Sequence, residues 1–165
     1  MVIRKAVLGD EQAFWTLQKA LDGETKTMRY EPDERTESLK EAASAIERAV
    51  SGEDLLLFAQ DGDALVGYLR AQRGAQRRTR HTACLDFGMR PSHSNRGIAR
   101  MFFRLLDDWA QEEGLKRLEL TVLKDNLVAR HVCQRHGFQY EGERQCAVNV
   151  DGRLKSELYM AKLFD

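Results

Sequence analysis

A run of apolar residues at helical spacing in the second half of the chain is the feature that most constrains its fold. Its members recur at i, i+3, i+4 and i+7, which is the pattern of the buried face of a long amphipathic helix. They are Ile98, Met101, Phe102, Leu105, Leu106, Trp109 and Ala110. Gly114 is suited to end this helix, and Leu118, Leu120 and Val122 then alternate with polar residues as a half-buried strand does. A long helix followed at once by a strand favours a sheet that is covered by helices.

The first half of the chain predicts two helices and a hairpin. A short N-terminal strand leads to Gly9-Asp10, where a first amphipathic helix begins. A second helix has Thr36 and Ser38 as candidate caps and ends near Ser51-Gly52. Two apolar runs then flank Asp61-Gly62, a pair that tolerates the positive φ of a tight hairpin turn.

The remaining elements complete a mixed α/β order. A strand is predicted over Thr82–Met89, and a helix that Asp125 or Asn126 caps ends at Gly137. Asp151-Gly152 predicts a second hairpin at the end of the chain. Because no linker, internal repeat or low-complexity segment interrupts this order, we predict a single domain over residues 1–165.

Composition excludes several classes of protein. A chain of 165 residues with 42% hydrophobic content is long enough for one core, and its formal net charge of zero does not favour a nucleic-acid-binding protein. No apolar stretch approaches the roughly 20 residues of a membrane span, and no secretory signal is expected, so the mature protein should start near Met1. Three cysteines at irregular spacing favour a reduced cytoplasmic protein without a metal site.

The segment from Ser94 to Ala99 lies between a predicted strand and the long helix. Backbone N–H groups at such a helix start lack partners inside the helix, and the helix dipole adds partial positive charge. Gly97 lets a bound group approach the backbone closely, so the segment suits a pyrophosphate. Taken alone the pattern is weak, because many strand-to-helix turns carry a glycine for steric reasons.

The chain from His81 to Leu163 resembles motifs A and B of the GNAT (GCN5-related N-acetyltransferase) superfamily, and is similar to bacterial acetyltransferases that act on amino acids or other small amines. The landmarks are Met89-Arg90-Pro91, Gly97-Ile98-Ala99, Arg117 to Val122, Asn126, Ala129, Gly137-Phe138, Glu141-Gly142, Asp151-Gly152 and Tyr159-Met160-Ala161. Two positions depart from the family pattern: Ser94 replaces the usual Arg or Gln, and Asn95 replaces a frequent glycine. The resemblance covers about half of the chain.

The resemblance implies a GNAT fold, a mixed and mostly antiparallel sheet of about seven strands with splayed central strands, flanked by about four helices. It implies acetyl-CoA as cosubstrate, with the Met89 N–H as oxyanion donor. The implied cofactor-binding residues are Phe87, Gly88, Met89, Ser94, Asn95, Arg96, Gly97, Ile98, Ala99, Arg100, Asn126, Ala129 and Cys133.

Catalytic residues are harder to assign from the resemblance. The family's usual general acid, a tyrosine, is replaced by Cys133, which we interpret as a packing residue in preference to an acid. The proton would then come from Tyr159, Tyr140, a histidine or water. Asp86 and Glu119 are candidate general bases, with solvent-facing strand residues as the equal alternative.

The function that follows from the resemblance is transfer of an acetyl group to a primary amine, of a small molecule or amino acid, without an acyl-enzyme. A non-catalytic acyl-CoA-binding module and an acetyltransferase for protein N-termini or lysines are the alternatives. Expected partners are a small-molecule amine, with no nucleic acid or membrane, and a homodimer stays open. An arginine cluster at Arg70, Arg73, Arg77, Arg78 and Arg80 is interpreted as a solvated hairpin. The resemblance implies that Phe14, Trp15 and the loop from Gly23 to Arg35 lie where the family builds its acceptor pocket; the alternative for the two aromatic residues is that they belong to the core.

Overall fold

The computed structural model describes residues 1–94 and 96–165. In chain order, the elements are β1 Val2–Lys5, α1 Glu11–Glu24, α2 Lys40–Val50, β2 Leu55–Asp61, β3 Ala64–Arg73, β4 Thr82–Met89, a 3-10 turn Pro91–His93, α3 Ile98–Glu112, β5 Arg117–Leu123, α4 Leu127–Arg135, β6 Gln139–Val150 and β7 Arg153–Leu163. The strand order is β1-β2-β3-β4-β5-β7-β6. The predicted α/β class, with seven strands and four α-helices over these described ranges, is confirmed.

The chain divides into two compact units by its internal contacts. The first unit contains residues 1–72 and 86–102, and the second contains residues 73–85 and 103–165. The prediction of a single domain over the whole chain stays a prediction.

The first unit is built on an antiparallel sheet covered by α1 and α2. β2 pairs with β1 and with β3, and Gly62 makes the β2–β3 turn with a φ of +62°. Its core includes Phe14, Leu21, Ile46, Phe58 and Tyr68, all at most 2% exposed. Phe14 packs its ring against Phe58 and Tyr68 at 5.2 Å, so Phe14 is a core residue. This packing fixes the position of Tyr68 relative to the sheet.

The second unit contains β5, β6, β7 and α4. β5 pairs antiparallel with β7, which pairs antiparallel with β6, and Thr82–Cys84 of β4 pair in parallel with Arg117–Glu119. The ring of Phe103 stacks on His136 at 4.8 Å and meets Phe138 edge-on at 5.8 Å. Asp151 and Gly152 adopt φ values of 53° and 83°, as expected for the predicted hairpin turn.

The structure distinguishes between the candidate helix caps. Asn126 Oδ1 accepts the N–H of Ala129, whereas Asp125 binds Lys155, so Asn126 is the cap of α4. The N-cap residue of α2 is Leu39, so the expectation for Ser38 was wrong, although Ser38 Oγ accepts the N–H of Lys40. The expectation for Thr36 as a cap was wrong, because α2 begins at Lys40. The Thr36 carbonyl accepts the indole N–H of the partly buried Trp15 instead.

Candidate active site

The carboxyl half of β4 in the first unit presents one carboxylate, Asp86. The hydroxyl of Tyr68 on β3 donates a 2.8 Å hydrogen bond to Asp86 Oδ2. Tyr68 itself is 0% exposed, and burial together with the nearby Asp86 charge raises the pKa of its hydroxyl well above the ordinary value. Tyr68 is therefore a fixed, neutral donor that holds one oxygen of the carboxylate.

Asp86 is exposed by surface area, yet protein atoms surround it densely. This dense surrounding raises the pKa of Asp86 above its ordinary value, against the opposing effects of the Tyr68 hydrogen bond and of Arg70, Arg29 and Arg35. Asp86 is thus exposed to solvent on one side and has protein atoms around it on the other. Such a group is accessible to a substrate and is more basic than a free aspartate.

The segment between α1 and α2 is held at several points within the first unit. Arg35 makes a two-pronged ion pair with Asp22 at 2.6 and 3.0 Å, and their side chains are only 8% and 0% exposed. Burial works against the Arg35 charge, but the Asp22 partner holds the pKa of Arg35 above its ordinary value. The Arg35 guanidinium also lies 4.7 Å from the ring centre of Tyr30. Lys19 Nζ binds the Pro32 carbonyl at 2.6 Å, so α1 anchors both parts of this segment.

The same segment lies over the end of β4. A side chain at Gly88 would place its Cβ 2.8 Å from Leu21 Cδ1, 3.2 Å from Tyr68 Cε1 and 3.5 Å from Met28 Sδ. A Cβ at Gly67 would lie 2.6 Å from Met89 Sδ and 3.2 Å from the Gly88 carbonyl oxygen, so a larger residue at Gly67 would require the Met89 side chain to move. Met28 also packs against the core of this unit. The apolar atoms around Gly88 thus lie beside the Asp86 carboxylate along β4.

The turn after β4 is fixed by side-chain contacts in the first unit. The Arg90 N–H donates to the Val66 carbonyl, and its guanidinium pairs with Glu24 at 2.9 Å. His93 lies 2.8 Å from the Ser92 hydroxyl through Nδ1 and 2.9 Å from Asp61 Oδ2 through Nε2. These contacts determine where the segment before α3 begins.

Gly97 fits the role of a close-approach residue. Its φ is +74°, a conformation that favours glycine, and nothing lies within 4 Å of the position of a Cβ. The Met101 N–H donates to the Gly97 carbonyl, and because α3 begins at Ile98, the N–H groups of Ile98, Ala99 and Arg100 have no acceptor within the helix. Open space beside these donors suits a diphosphate. The Ser94 hydroxyl binds the Pro91 carbonyl, and the prediction for Asn95 lies outside the described residues.

Cys133 lies on α4 in the second unit and is 0% exposed. Burial raises the pKa of its thiol to about 12. A thiol with no accessible surface cannot reach a leaving group without a rearrangement of the helix. These properties favour the packing interpretation of Cys133 over an acid role.

The other catalytic candidates of the second unit differ in whether their side chains already form ion pairs or hydrogen bonds with the protein. Glu119 on β5 accepts a 2.6 Å hydrogen bond from Arg117, which also binds Glu141. The Tyr140 hydroxyl accepts a 2.9 Å bond from Arg130. Tyr159 on β7 is 42% exposed. Glu119 therefore belongs to a surface ion-pair group.

Sequence reasoning proposed Asp86 as a candidate base but did not predict its hydrogen bond from Tyr68 or the charged residues of the segment nearby. Tyr68, Arg29 and the Asp22–Arg35 pair were absent from the predicted site. Tyr68 stands in the otherwise apolar run of β3, where a buried hydroxyl needs a partner, and this was the available signal. Over residues 1–94 and 96–165, no group of three His, Cys, Asp or Glu side chains is placed to hold a metal ion, and no helix is long and apolar enough to span a bilayer.

Comparison with known proteins finds a relative that is similar to this chain in sequence. L-amino acid N-acetyltransferase AaaT of Escherichia coli (strain K12) is 33% identical over 109 residues, which are 62% of this chain and 64% of that protein. The match thus spans less than two thirds of the length of this relative.

Two solved structures are similar over nearly the whole chain. The acetyltransferase of the GNAT family from Streptococcus pneumoniae has a TM-score of 0.92 and 25% identity, with 99% of each chain covered. The yncA protein from Salmonella typhimurium, solved with its cofactor acetyl-CoA, has a TM-score of 0.85 and 18% identity over 99% of this chain and 94% of its own. The model of the acetyltransferase (GNAT) family matches residues 17–138. This chain therefore belongs to the acetyltransferase (GNAT) family.

Proposed function

We propose that this protein transfers an acetyl group from acetyl-CoA to the primary amine of a small molecule, an amino acid in particular. The observation that carries the proposal is the Asp86 carboxylate, held through one oxygen by the buried Tyr68 and accessible to solvent. Asp86 lies on β4, the strand that comes before Gly97 and the start of α3.

Binding of the cosubstrate is assigned to backbone groups. The N–H groups at the start of α3 lack acceptors within the helix, the Cβ position of the adjacent Gly97 is open, and these groups would hold the diphosphate. The proposed set from the sequence is retained for the described residues with the exception of Cys133, whose side chain is 0% exposed. It comprises Phe87, Gly88, Met89, Ser94, Arg96, Gly97, Ile98, Ala99, Arg100, Asn126 and Ala129. Among these, Ser94 and Asn126 already use both their side-chain oxygen and their backbone N–H in local hydrogen bonds, so their role is to support the turn and the helix start beside the proposed site.

The reaction needs a neutral amine. An acceptor ammonium would give one proton to Asp86, directly or through water, because the raised pKa of this carboxylate makes it a better base than a free aspartate. The amine nitrogen then bonds to the thioester carbon, the carbon–sulfur bond breaks and the thiolate leaves. The nitrogen loses its second proton to water, and this proton replaces the one that the leaving thiolate takes up. The Met89 N–H is proposed to stabilise the oxyanion that forms in between.

The leaving thiolate needs a proton. We assign it to Tyr159, because Cys133 has no exposed surface and the Tyr140 hydroxyl is bound by Arg130. Asp86 is preferred to Glu119 as the base, because Glu119 is paired with Arg117. The name of the AaaT relative, which is an L-amino acid N-acetyltransferase, supports an amino acid as acceptor.

The decisive experiment measures binding and turnover separately. Calorimetry with acetyl-CoA tests binding, and a thiol-release assay with a panel of amino acids, polyamines and peptides tests transfer. We expect a rise in melting temperature with acetyl-CoA, since a ligand at 100 times its Kd stabilises the native state by about 2.7 kcal/mol. Binding without thiol release for any amine would instead identify a non-catalytic module, and release with peptides alone would identify a protein acetyltransferase.

A further inference from the structure

Three guanidinium groups influence the charge of Asp86: those of Arg70, Arg29 and Arg35. Two of them have carboxylate partners. Arg35 is paired with Asp22 at 2.6 Å, and Arg70 faces Asp54 at 3.6 Å. Their positive charges are therefore largely compensated inside the protein.

Arg29 differs from the other two. It is exposed, and within residues 1–94 and 96–165 it makes no recorded ion pair or hydrogen bond with a protein group. The neighbouring residue Met28 places its sulfur 3.5 Å from the Cβ position of Gly88, and Gly88 and Asp86 are on the same face of β4, two residues apart. Arg29 is thus a cation on the segment that covers the proposed base, with its donors available for a ligand.

The backbone on both sides of Arg29 is anchored. Met28 packs against the core and its sulfur lies 3.5 Å from the Cβ position of Gly88, two residues from Asp86 along β4. Tyr30 stacks against the Arg35 guanidinium, which the buried Asp22 holds. An exposed side chain on such a backbone loses less freedom on binding than one in an unsupported loop.

Asp86 provides the complementary charge. Tyr68 binds Oδ2, and over the described chain no hydrogen bond to Oδ1 is recorded. An α-amino acid carries an ammonium and a carboxylate on the same carbon atom. It can therefore face Asp86 and Arg29 at the same time, with its ammonium at the carboxylate that is to remove the proton.

We propose that Arg29 binds the carboxylate of the acceptor and thereby selects free α-amino acids over amines that lack this group. The inference rests on the proposed acetyl transfer and adds a specificity-determining residue to it. A guanidinium is suited to this task because its planar fork of N–H donors matches both oxygens of a carboxylate. The atoms of Leu21, Met28 and Tyr68 next to Gly88 are apolar, so Asp86 and Arg29 are the groups that would recognise the charged ends of the acceptor.

The test compares matched acceptors on matched variants. Initial rates are measured for L-amino acids, for the corresponding amides and for the corresponding decarboxylated amines, using the wild-type protein, Arg29→Gln, Arg29→Lys and the control Arg77→Gln. Arg77 is another exposed arginine, on the turn between β3 and β4. Calorimetric titration with the amino acids in the presence of CoA gives acceptor binding without any turnover.

We expect Arg29→Gln to raise the KM and the Kd for amino acids by about 10- to 100-fold, the range for loss of a charge-assisted hydrogen bond, while kcat changes little. The KM for the amides and amines should stay within about 2-fold, Arg29→Lys should restore part of the amino acid affinity, and Arg77→Gln should behave as wild type. Equal effects of Arg29→Gln on amino acids and amides would overturn the inference. So would a wild-type preference for the decarboxylated amines. A wild-type protein that binds amino acids through Arg29 but releases no thiol would instead contradict only the proposed acetyl transfer.

Discussion

Tyr68 Oη lies 2.8 Å from Asp86 Oδ2, and this bond joins the most deeply buried tyrosine of the first unit to the carboxylate that we propose as general base. The bond stabilises the ionised carboxylate, so it opposes the rise in the pKa of Asp86 that burial causes. The Tyr68 hydroxyl thus limits how far the pKa of Asp86 rises, and with it the fraction of Asp86 that is protonated at a given pH.

Removal of this hydroxyl should shift the pH dependence of turnover. In Tyr68→Phe the carboxylate loses a donor, so the pKa of Asp86 rises further and the acidic limb of the kcat profile moves to higher pH. The measurement is kcat from pH 5 to pH 9, with Tyr140→Phe as the control for loss of an exposed hydroxyl. An acidic limb that stays in place, in a variant that remains folded, would contradict the role of Tyr68.

Asp86→Asn should separate catalysis from stability. The variant keeps an oxygen that can accept the Tyr68 hydrogen bond but cannot take a proton, and we expect kcat to fall by about 10²-fold or more. Because the native pKa of Asp86 lies above its ordinary value, the ionised form costs stability at pH values above that native pKa. This cost disappears as the pH falls below the ordinary value of about 3.9, where both states are protonated.

The melting temperature of Asp86→Asn at pH 7.5 should accordingly equal or exceed that of the wild type. The exposed Asp63 on the β2–β3 turn provides the control variant Asp63→Asn. A large loss of melting temperature in Asp86→Asn would show that the carboxylate is structural and not a base.

Substitutions at Gly97 can test the diphosphate site without the effect of backbone strain, if the new residue tolerates a positive φ. Valine at a φ of +74° is strained, so Gly97→Val weakens folding as well as binding. Asparagine tolerates this conformation, yet its side chain enters the open space beside the helix start. We expect Gly97→Asn to fold normally and to bind CoA at least about 10-fold more weakly, as measured by calorimetry. Unchanged affinity in folded Gly97→Asn would place the diphosphate elsewhere.

Cys133→Ala should keep most of the turnover. The change removes one buried sulfur atom and should lower the free energy of unfolding by about 1 kcal/mol, whereas loss of a general acid would lower kcat by about 10²-fold. Urea unfolding and thiol-release kinetics measure the two effects, with the exposed Cys146→Ala as the control. The reverse change, Cys133→Tyr, should overpack this 0% exposed position and cost about 1–3 kcal/mol.

The buried pair of Asp22 and Arg35 should be essential for stability. Asp22→Asn leaves the Arg35 charge almost fully buried without its partner, which typically costs about 3–5 kcal/mol. Asp125→Asn, which breaks an exposed pair with Lys155, should cost at most about 1 kcal/mol. Urea unfolding of the two variants compares the values directly, and similar losses in both would contradict the structural role of the buried pair.

The elements of this fold were predictable because their signals are local. The spacing from Ile98 to Ala110, the alternation from Leu118 to Val122 and both Asp-Gly turns each depend on neighbouring residues, and the structure contains the predicted elements. Two members of the predicted buried helix face were wrong, because Met101 is 52% exposed and Leu105 is 37% exposed. The choice between Asp125 and Asn126 as cap was not predictable, since it depends on Lys155, which lies 30 residues from Asp125.

The geometry of the proposed site depends on long-range pairs. Tyr68 meets Asp86 across 18 residues, and Arg35 meets Asp22 across 13. No periodicity or turn pattern marks such pairs before the strands and helices are in place. The resemblance of the sequence to its family identified the β4 segment and the Gly97 turn but carried no information on which side chains hold Asp86.

The anchoring of the segment between α1 and α2 has a consequence for how this protein can change. Asp22, Arg35 and the Trp15–Thr36 hydrogen bond fix the ends of the segment to α1, while Lys19 holds Pro32. Exposed positions between these anchors, such as Lys26, Thr27 and Arg29, can vary without disturbing the core. The exposed positions of this segment can therefore be substituted while its anchored ends stay in place. Mutant libraries confined to these positions are the direct route to variants with new acceptor preferences.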